Sequence, residues 1–226
     1  MIQRQFFHTL SYVFHPIFIP LLGFYFLFSL ETRPVSFNPL DALFFFPDQV
    51  KLFTYVVIAI LTIIAPVLSL LIMYANKMIS SFTLERREDR VYPFILVSFY
   101  YLLAYIFIRV RVPIDYQHPA FVGFMFGVLV LFLTCFVVNF YVKVSLHAAA
   151  IFGLCGMLIG YNQTQMSLDP AGGPTNLYII LYVLILAGII SAGRIYLKAH
   201  TLSEILLGST IGFLVVFVSV KYGVYI

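Results

Sequence analysis

Residues 120–138 read AFVGFMFGVLVLFLTCFVV, without a single charged side chain. A helix of about 20 apolar residues crosses a hydrocarbon core about 30 Å thick, and inside lipid every backbone polar group must be hydrogen-bonded within the chain. The stretch therefore predicts a membrane-spanning helix. On either side of it, six more apolar runs obey the same rule: Tyr12 to Leu30, Leu52 to Ala75, Tyr92 to Ile108, Val144 to Tyr161, Leu177 to Ala192 and Leu202 to Val220. Tyr92 to Ile108 and the last two runs are short. The expected fold is an all-α integral membrane protein, a bundle of about six to seven transmembrane helices with its site at one membrane face. In 226 residues such spans leave no room for a soluble domain, so residues 1–226 are expected to form a single transmembrane domain.

The composition agrees. Hydrophobic residues make up 62% of the chain and charged ones 10%, with a mean hydropathy of +1.03, against about a quarter charged in soluble domains. The net charge of +4 does not point to nucleic acid, which needs a basic solvated face where this surface must meet lipid. Anionic lipid or phosphate suits the charge better. Cys135 and Cys155 lie inside apolar runs, where a thiol is a small hydrophobe and no disulfide framework can be inferred. The first run contains His15, Pro16 and Pro20 and no small-residue cleavage site after it, so it is expected to stay in the mature protein. His15 before Pro16 reads equally as a cap on a proline-kinked helix start or as a functional intramembrane group, and it is left out of the expected site. Phe44, Phe45, Phe46 and Pro47, beside a span, are expected at the membrane interface.

Counting crossings organises the polar residues. The loops after the second, fourth and sixth runs emerge on one side of the membrane, and the polar clusters sit in those loops. The first holds Lys77 and then Glu85-Arg86-Arg87-Glu88-Asp89-Arg90-Val91-Tyr92-Pro93; the second holds Asn139, Lys143, Ser145 and His147; the third holds Arg194, Lys198, His200 and Glu204. Each has an ordinary reading. Interleaved Arg86, Arg87 and Arg90 with Glu85, Glu88 and Asp89 suit a solvated helical turn. Lys143 suits an interfacial snorkelling lysine. His147 begins an apolar span, where an ionisable group faces a bundle interior or an aqueous cavity.

The third cluster is the most informative. Gly193-Arg194-Ile195-Tyr196-Leu197-Lys198-Ala199-His200-Thr201-Leu202-Ser203-Glu204 sets an arginine six residues before a histidine and a carboxylate four after it. On a helix His200 and Glu204 share a face, so the carboxylate can hold one imidazole nitrogen and leave the other as nucleophile. Thr201 followed three residues later by Glu204 is equally a capping box for the last span. The residues leave both readings open.

Arg194, five residues, His200, three residues, Glu204 resembles the third signature of the type 2 phosphatidic acid phosphatase superfamily, S-R-x5-H-x3-D. Lys143-Val144-Ser145-Leu146-His147 is similar to its second signature, P-S-G-H, in a K-x-S-x-H form found in divergent bacterial, Bacteroidetes-like members. The resemblance runs over a core of about residues 77–220, with the helices of residues 10–75 as an addition. The chain departs from the pattern in places. Thr83 stands where the first signature, K-x6-R-P, has lysine before Arg90, and Pro93 lies three residues after Arg90. Gly193 replaces serine, and Glu204 replaces aspartate.

The resemblance implies a metal-independent hydrolysis, without cofactor, of a phosphate monoester or pyrophosphate on a membrane lipid. His200 would attack phosphorus to form a phosphohistidine, with Glu204 orienting it and His147 protonating the leaving alkoxide. Arg194, Lys143, Ser145, Arg90 and Arg87 would bind the phosphate, since charge spread over equatorial oxygens calls for fixed donors. No carboxylate cluster of the two-metal kind stands beside them, so arginines and lysine take the place of metal. The expected partners are a membrane lipid phosphate and the bilayer, with no nucleic acid. A catalytically decayed lipid-phosphate-binding or membrane-assembly protein is the alternative. A transporter fits less well, because no repeats are visible and the ionisable groups lie near span ends.

Eight Lys and Arg fall on the site's side and five on the other, but setting aside Arg87, Arg90, Lys143 and Arg194 as phosphate ligands leaves four against five. The positive-inside rule is then silent. The resemblance implies a bacterial inner membrane with the site facing the periplasm.

Overall fold

With no water to satisfy them, the backbone groups of the apolar runs close their hydrogen bonds along helices. The computed structural model describes residues 2–33, 42–80, 91–164, 166–167 and 175–223. These residues form nine α-helices: α1 (Ile2–Val13), α2 (Ile19–Ser29), α3 (Asp48–Ile58), α4 (Ala65–Ala75), α5 (Val91–Arg111), α6 (Pro119–Asn139), α7 (Leu146–Thr164), α8 (Thr175–Tyr196) and α9 (Leu202–Lys221). Among the described residues six helical segments are long and apolar enough to cross a membrane: Ile2–Ser29, Asp48–Ala75, Val91–Arg111, Pro119–Asn139, Asn176–Tyr196 and Leu202–Lys221. The protein is a multi-pass α-helical membrane protein. The fifth run, Val144 to Tyr161, folds as α7, which is less apolar than the other spans and lies at their centre, with Ala149, Leu154, Met157 and Tyr161 at most 1% exposed.

Small residues explain that centre. Between helices in lipid there is little hydrophobic drive, so close approach and dispersion do the packing, and Gly-xxx-Gly spacing permits it. Gly208 and Gly212 on α9 face α7: a Cβ on Gly208 would fall 2.7 Å from the Ser145 carbonyl, and one on Gly212 would run into the carbonyl of Ala149. Gly123 and Gly127 let α6 approach α9 at Ser219 in the same way. At the far end of α7 the Tyr161 hydroxyl meets Thr32 Oγ1 at 3.2 Å and accepts from Leu43 N at 3.3 Å. It thereby ties down the short antiparallel pair β1 (Thr32–Arg33) and β2 (Met166–Ser167).

Two segments differ from the sequence reading. The run Tyr12 to Leu30 is not one rod. It breaks between α1 and α2 at a 3-10 turn, Pro16–Phe18, because Pro16 and Pro20 lack the N–H that a continuous helix needs. His15 caps that turn, its Nδ1 accepting from Ile17 N at 3.4 Å. The phenylalanines at 44–46 are not all interfacial. Leu43–Phe45 is itself a 3-10 turn, whose three-residue repeat puts Leu43 and Phe46 on one side. Phe46 is 2% exposed and packs on Phe28 and Phe121, while Phe45 stays exposed.

α3 and α4 are a single rod through a π-helical turn, Ala59–Ile64. Pro66 lies in the first turn of α4, and its ring would crowd the carbonyl of Thr62 in a continuous α-helix; the wider turn relieves that contact. Thr62 Oγ1 donates to the Ile58 carbonyl at 2.8 Å beside it.

Candidate active site

α6 and α8 end, and α7 and α9 begin, at one face of the bundle, and local capping rules decide what gathers there. α8 closes in a Schellman turn. Lys198 takes the left-handed conformation at φ 54°, Lys198 N donates to the Ile195 carbonyl at 2.9 Å, and Ala199 N to the Arg194 carbonyl at 3.0 Å. His200 N also reaches the Arg194 carbonyl, at 3.4 Å. The chain thus folds back so that His200 returns to the turn that carries Arg194.

Thr201 then caps α9. Its Oγ1 accepts from Glu204 N at 3.3 Å, and Glu204 Oε2 accepts from Thr201 N at 3.4 Å. The same Oε2 accepts from His200 Nδ1 at 2.6 Å. The capping box and the oriented histidine are therefore one arrangement: the box aims the carboxylate, and the imidazole takes it. His200 precedes the helix, so the contact arises from the cap and not from a shared helical face. A carboxylate on Nδ1 fixes the tautomer and leaves the lone pair on Nε2. The His200 side chain is 8% exposed. Burial, aided by the positive charge of Lys143 and Arg194 and opposed by Glu204, lowers its pKa to about 4. The imidazole is neutral at pH 7 and able to act as a nucleophile.

The second patch joins the third. Lys143 Nζ, on an exposed side chain, donates to the Ala199 carbonyl at 2.9 Å, which puts its ammonium next to His200. Ser145 is fully buried. Its backbone N donates to the Glu204 carbonyl at 3.4 Å, and its Oγ accepts from Ala148 N at 3.4 Å as the cap of α7. The Ser145 hydroxyl keeps its proton to donate. His147 sits in the first turn of α7. Its Nε2 is 3.1 Å from the Ser11 carbonyl, and its ring meets that of His15 edge to face at 5.4 Å. A carbonyl oxygen only accepts, so Nε2 carries the proton.

Arg194 stands among these imidazoles, within electrostatic reach of His15, His147 and His200. Its Nε–H is buried and has no acceptor among the described residues. A buried donor left unpaired is costly and calls for an explanation, and a guanidinium flanked by Lys143 is suited to an anion. Among the described residues, no three of His, Cys, Asp and Glu gather to hold a metal ion.

The structure thus brings together Lys143, Ser145, His147, Arg194, His200 and Glu204. Arg87 and Arg90 lie outside the described residues. Ser11 and His15 complete the cluster and were missed by the sequence reading. The signal was present in part: His15-Pro16 stands at the start of the first run, on the side where the crossing count puts the site. Ser11 acts through its backbone, which no motif records.

Residues 139–226 match the family model described as PAP2 superfamily. Neither a curated protein nor a solved structure matches the chain.

Proposed function

We propose that the protein is a lipid phosphate phosphatase, a reading supported by the match of residues 139–226 to the PAP2 superfamily model. One observation carries the reading: a neutral, oriented histidine, His200 on Glu204 at 2.6 Å, near Arg194, whose buried Nε–H has no partner among the described residues. His200 Nε2 attacks phosphorus, and the bond from phosphorus to the lipid oxygen breaks. His147, made cationic by a proton taken up with the phosphate, passes its Nε2 proton to the departing alkoxide and becomes neutral. Water then gives a proton back to His147 and attacks the phosphohistidine, releasing phosphate and restoring His200. Arg194, Lys143, Ser145, Arg90 and Arg87 hold the phosphate oxygens, and their charge replaces a metal.

The lipid nature of the substrate is supported by a second feature. A partly open apolar crevice adjoins the site, lined by Pro16, Tyr101, Cys135, Leu146, Ala150 and Gly153, among others. Pro16 and Leu146 are the chain neighbours of His15 and His147. From Leu146 to Leu154 the α7 wall descends about 12 Å at 1.5 Å per residue, most of one leaflet of a core about 30 Å thick. Its apolar lining and its direction suit an acyl or isoprenoid tail whose phosphate stays at headgroup depth. In this reading residues 1–226 are one transmembrane domain with a phosphatase core over about 77–220, set in a bacterial inner membrane with the site facing the periplasm.

Phosphate release from detergent-solubilised protein in EDTA tests the proposal, with phosphatidate, phosphatidylglycerophosphate, isoprenyl pyrophosphate and lipid A as substrates. Wild type is expected to turn over at least one of them and His200→Ala none. Equal activity in the two overturns the mechanism. Tight binding of the same lipids without turnover indicates the decayed binder instead, a reading in which Thr83 marks a lost first signature.

A further inference from the structure

Helix α1 lies outside residues 139–226, yet it is seated on the site through Phe7 and Ser11, with His15 just beyond its end. The Phe7 ring packs on Tyr196 with centroids 5.2 Å apart. It also covers Gly193, where a Cβ would fall 2.6 Å from Phe7 Cδ1. The Ser11 carbonyl holds His147 Nε2, and the His15 ring backs His147. Gly193 stands where the family pattern has serine, and a serine side chain there conflicts with Phe7 in its docked position. The departure from the pattern is the imprint of α1.

The bond to Ser11 arises from how α1 ends. The last carbonyls of a helix have no partner inside it. Here Phe14 N takes the Leu10 carbonyl and His15 N takes that of Tyr12, and the Ser11 carbonyl is taken by His147. A neutral imidazole has one N–H. While Ser11 accepts it, His147 has no other proton to give to a leaving group.

Beyond Phe7, Leu10 on the core and buried Ser11, the rest of α1 makes few buried contacts. Ile2, Phe6, Tyr12 and Val13 are exposed, as are Arg4 and His8, a mixture that suits the plane of a membrane interface. A segment with few buried contacts opens at low cost.

We propose that α1 is a latch on the phosphate site. Docked, it packs Phe7 on Gly193 beside Arg194 and keeps His147 in a resting hydrogen bond. At a surface of phosphate-bearing lipid it swings into the interface, and the leaving-group oxygen replaces the Ser11 carbonyl at Nε2. The inference rests on His147 being the acid of the proposed reaction, but the position of α1 can be read without any turnover.

The test is a pair of spin labels on the full chain, at Thr9→Cys and Lys198→Cys, both exposed positions; native Cys135 and Cys155 are buried. In neutral detergent the labels are expected to give one short distance. In phosphatidylcholine vesicles containing phosphatidic acid, a second and longer population is expected. Phe7→Ala, which removes the docking ring, is expected to produce the longer population in detergent alone. It is also expected to raise turnover of dispersed short-chain phosphatidate several-fold, towards the vesicle rate. A single short distance in phosphatidate vesicles that the enzyme is hydrolysing overturns the latch, as does a Phe7→Ala chain with undiminished docking and lowered turnover. A wild type that hydrolyses nothing counts against the phosphatase reading alone, since the label distances still decide whether α1 moves.

Discussion

The two sides of the site are held in opposite ways. From Lys143 to Glu204, each proposed group stands on backbone fixed by caps and helix contacts: Ser145 caps α7, Thr201 and Glu204 cap α9, a Schellman turn ends α8, and Gly208 and Gly212 press α9 onto α7. Across from them, α1 is held by the Phe7 ring, by Leu10 on the core and by the Ser11 carbonyl, with the His15 ring edge-on to His147 just beyond it. Nucleophile and phosphate clamp gain from being preorganised. A proton donor that must exchange partners during each turnover gains from a neighbour that can leave. The difference between the two sides divides the parts that must not move from the part that must.

Gly212→Leu puts the firmness of the C-terminal half to its severest test. Its side chain would enter the Ala149 carbonyl region of α7, where backbone has no room to give, and is expected to cost about 3 kcal/mol or more. Loss of a monodisperse folded peak in detergent, or a large fall in Tm, is the expected result, whereas Phe7→Ala is expected to melt like wild type. Similar melting of all three proteins would mean that the C-terminal half is no more firmly held than α1.

Glu204 offers a finer division, because one oxygen serves both the cap and the imidazole. Glutamine preserves the capping box but removes the charge that supports His200. Glu204→Gln is expected to lower kcat on the order of 10²-fold at unchanged Tm. Thr201→Ala is expected to do the reverse, losing about 1 kcal/mol of stability with kcat within a few-fold of wild type. If Glu204→Gln lost stability and kept activity, the carboxylate would be a cap alone.

The pH profile examines the same rigid half from outside. With a pKa of about 4 for His200, kcat/KM is expected to hold from pH 7 down to pH 5 and to fall only as pH approaches 4. A histidine at the ordinary 6.5 would be roughly 30-fold down at pH 5. Lys143→Met removes one of the charges that lower it, so the acid limb is expected to move upward. The sign for stability is also fixed. The folded pKa lies below the unfolded one, so the unfolded chain binds the extra proton between about pH 4 and 6.5, and this group's contribution is whole above 6.5 and lost on descent to 4. An acid limb near 6.5 in the wild type would place His200 in water.

How much of this the sequence carried depends on the range of the physics involved. The spans were readable because lipid imposes a length and a composition on each helix separately, as residues 120–138 illustrate. The meeting of Lys143, His147, Arg194, His200 and Glu204 was readable because crossings alternate sides. Their contacts were less so. Sequence spacing put Glu204 near His200 for the wrong geometric reason, and the cap supplied the right one. Phe7 and Ser11 were illegible, and His15 was legible only as a cap or a functional group with no place in the site, because a 3-10 turn at two prolines reorients α1 and because a backbone carbonyl leaves no trace in residue type.

The smallest effect probes the turn that joins Arg194 to His200. A non-glycine residue in the left-handed conformation carries a strain of roughly 1 kcal/mol, and Lys198 bears it at φ 54°. Lys77, at φ 58°, ends α4 in the same turn, with Lys77 N on the Tyr74 carbonyl and Met78 N on that of Met73. Lys198→Gly and Lys77→Gly are therefore each expected to stabilise the protein by up to about 1 kcal/mol, measured as a rise in Tm. The two turns lead to different places, since only the one after Arg194 runs into the histidine. If the gain at Lys198 comes with a fall in kcat that Lys77→Gly does not share, the lysine's restriction of the backbone is itself part of how the rigid half holds His200 over Arg194. Equal kcat in both variants assigns that task to the hydrogen bonds of the turn and the capping box alone.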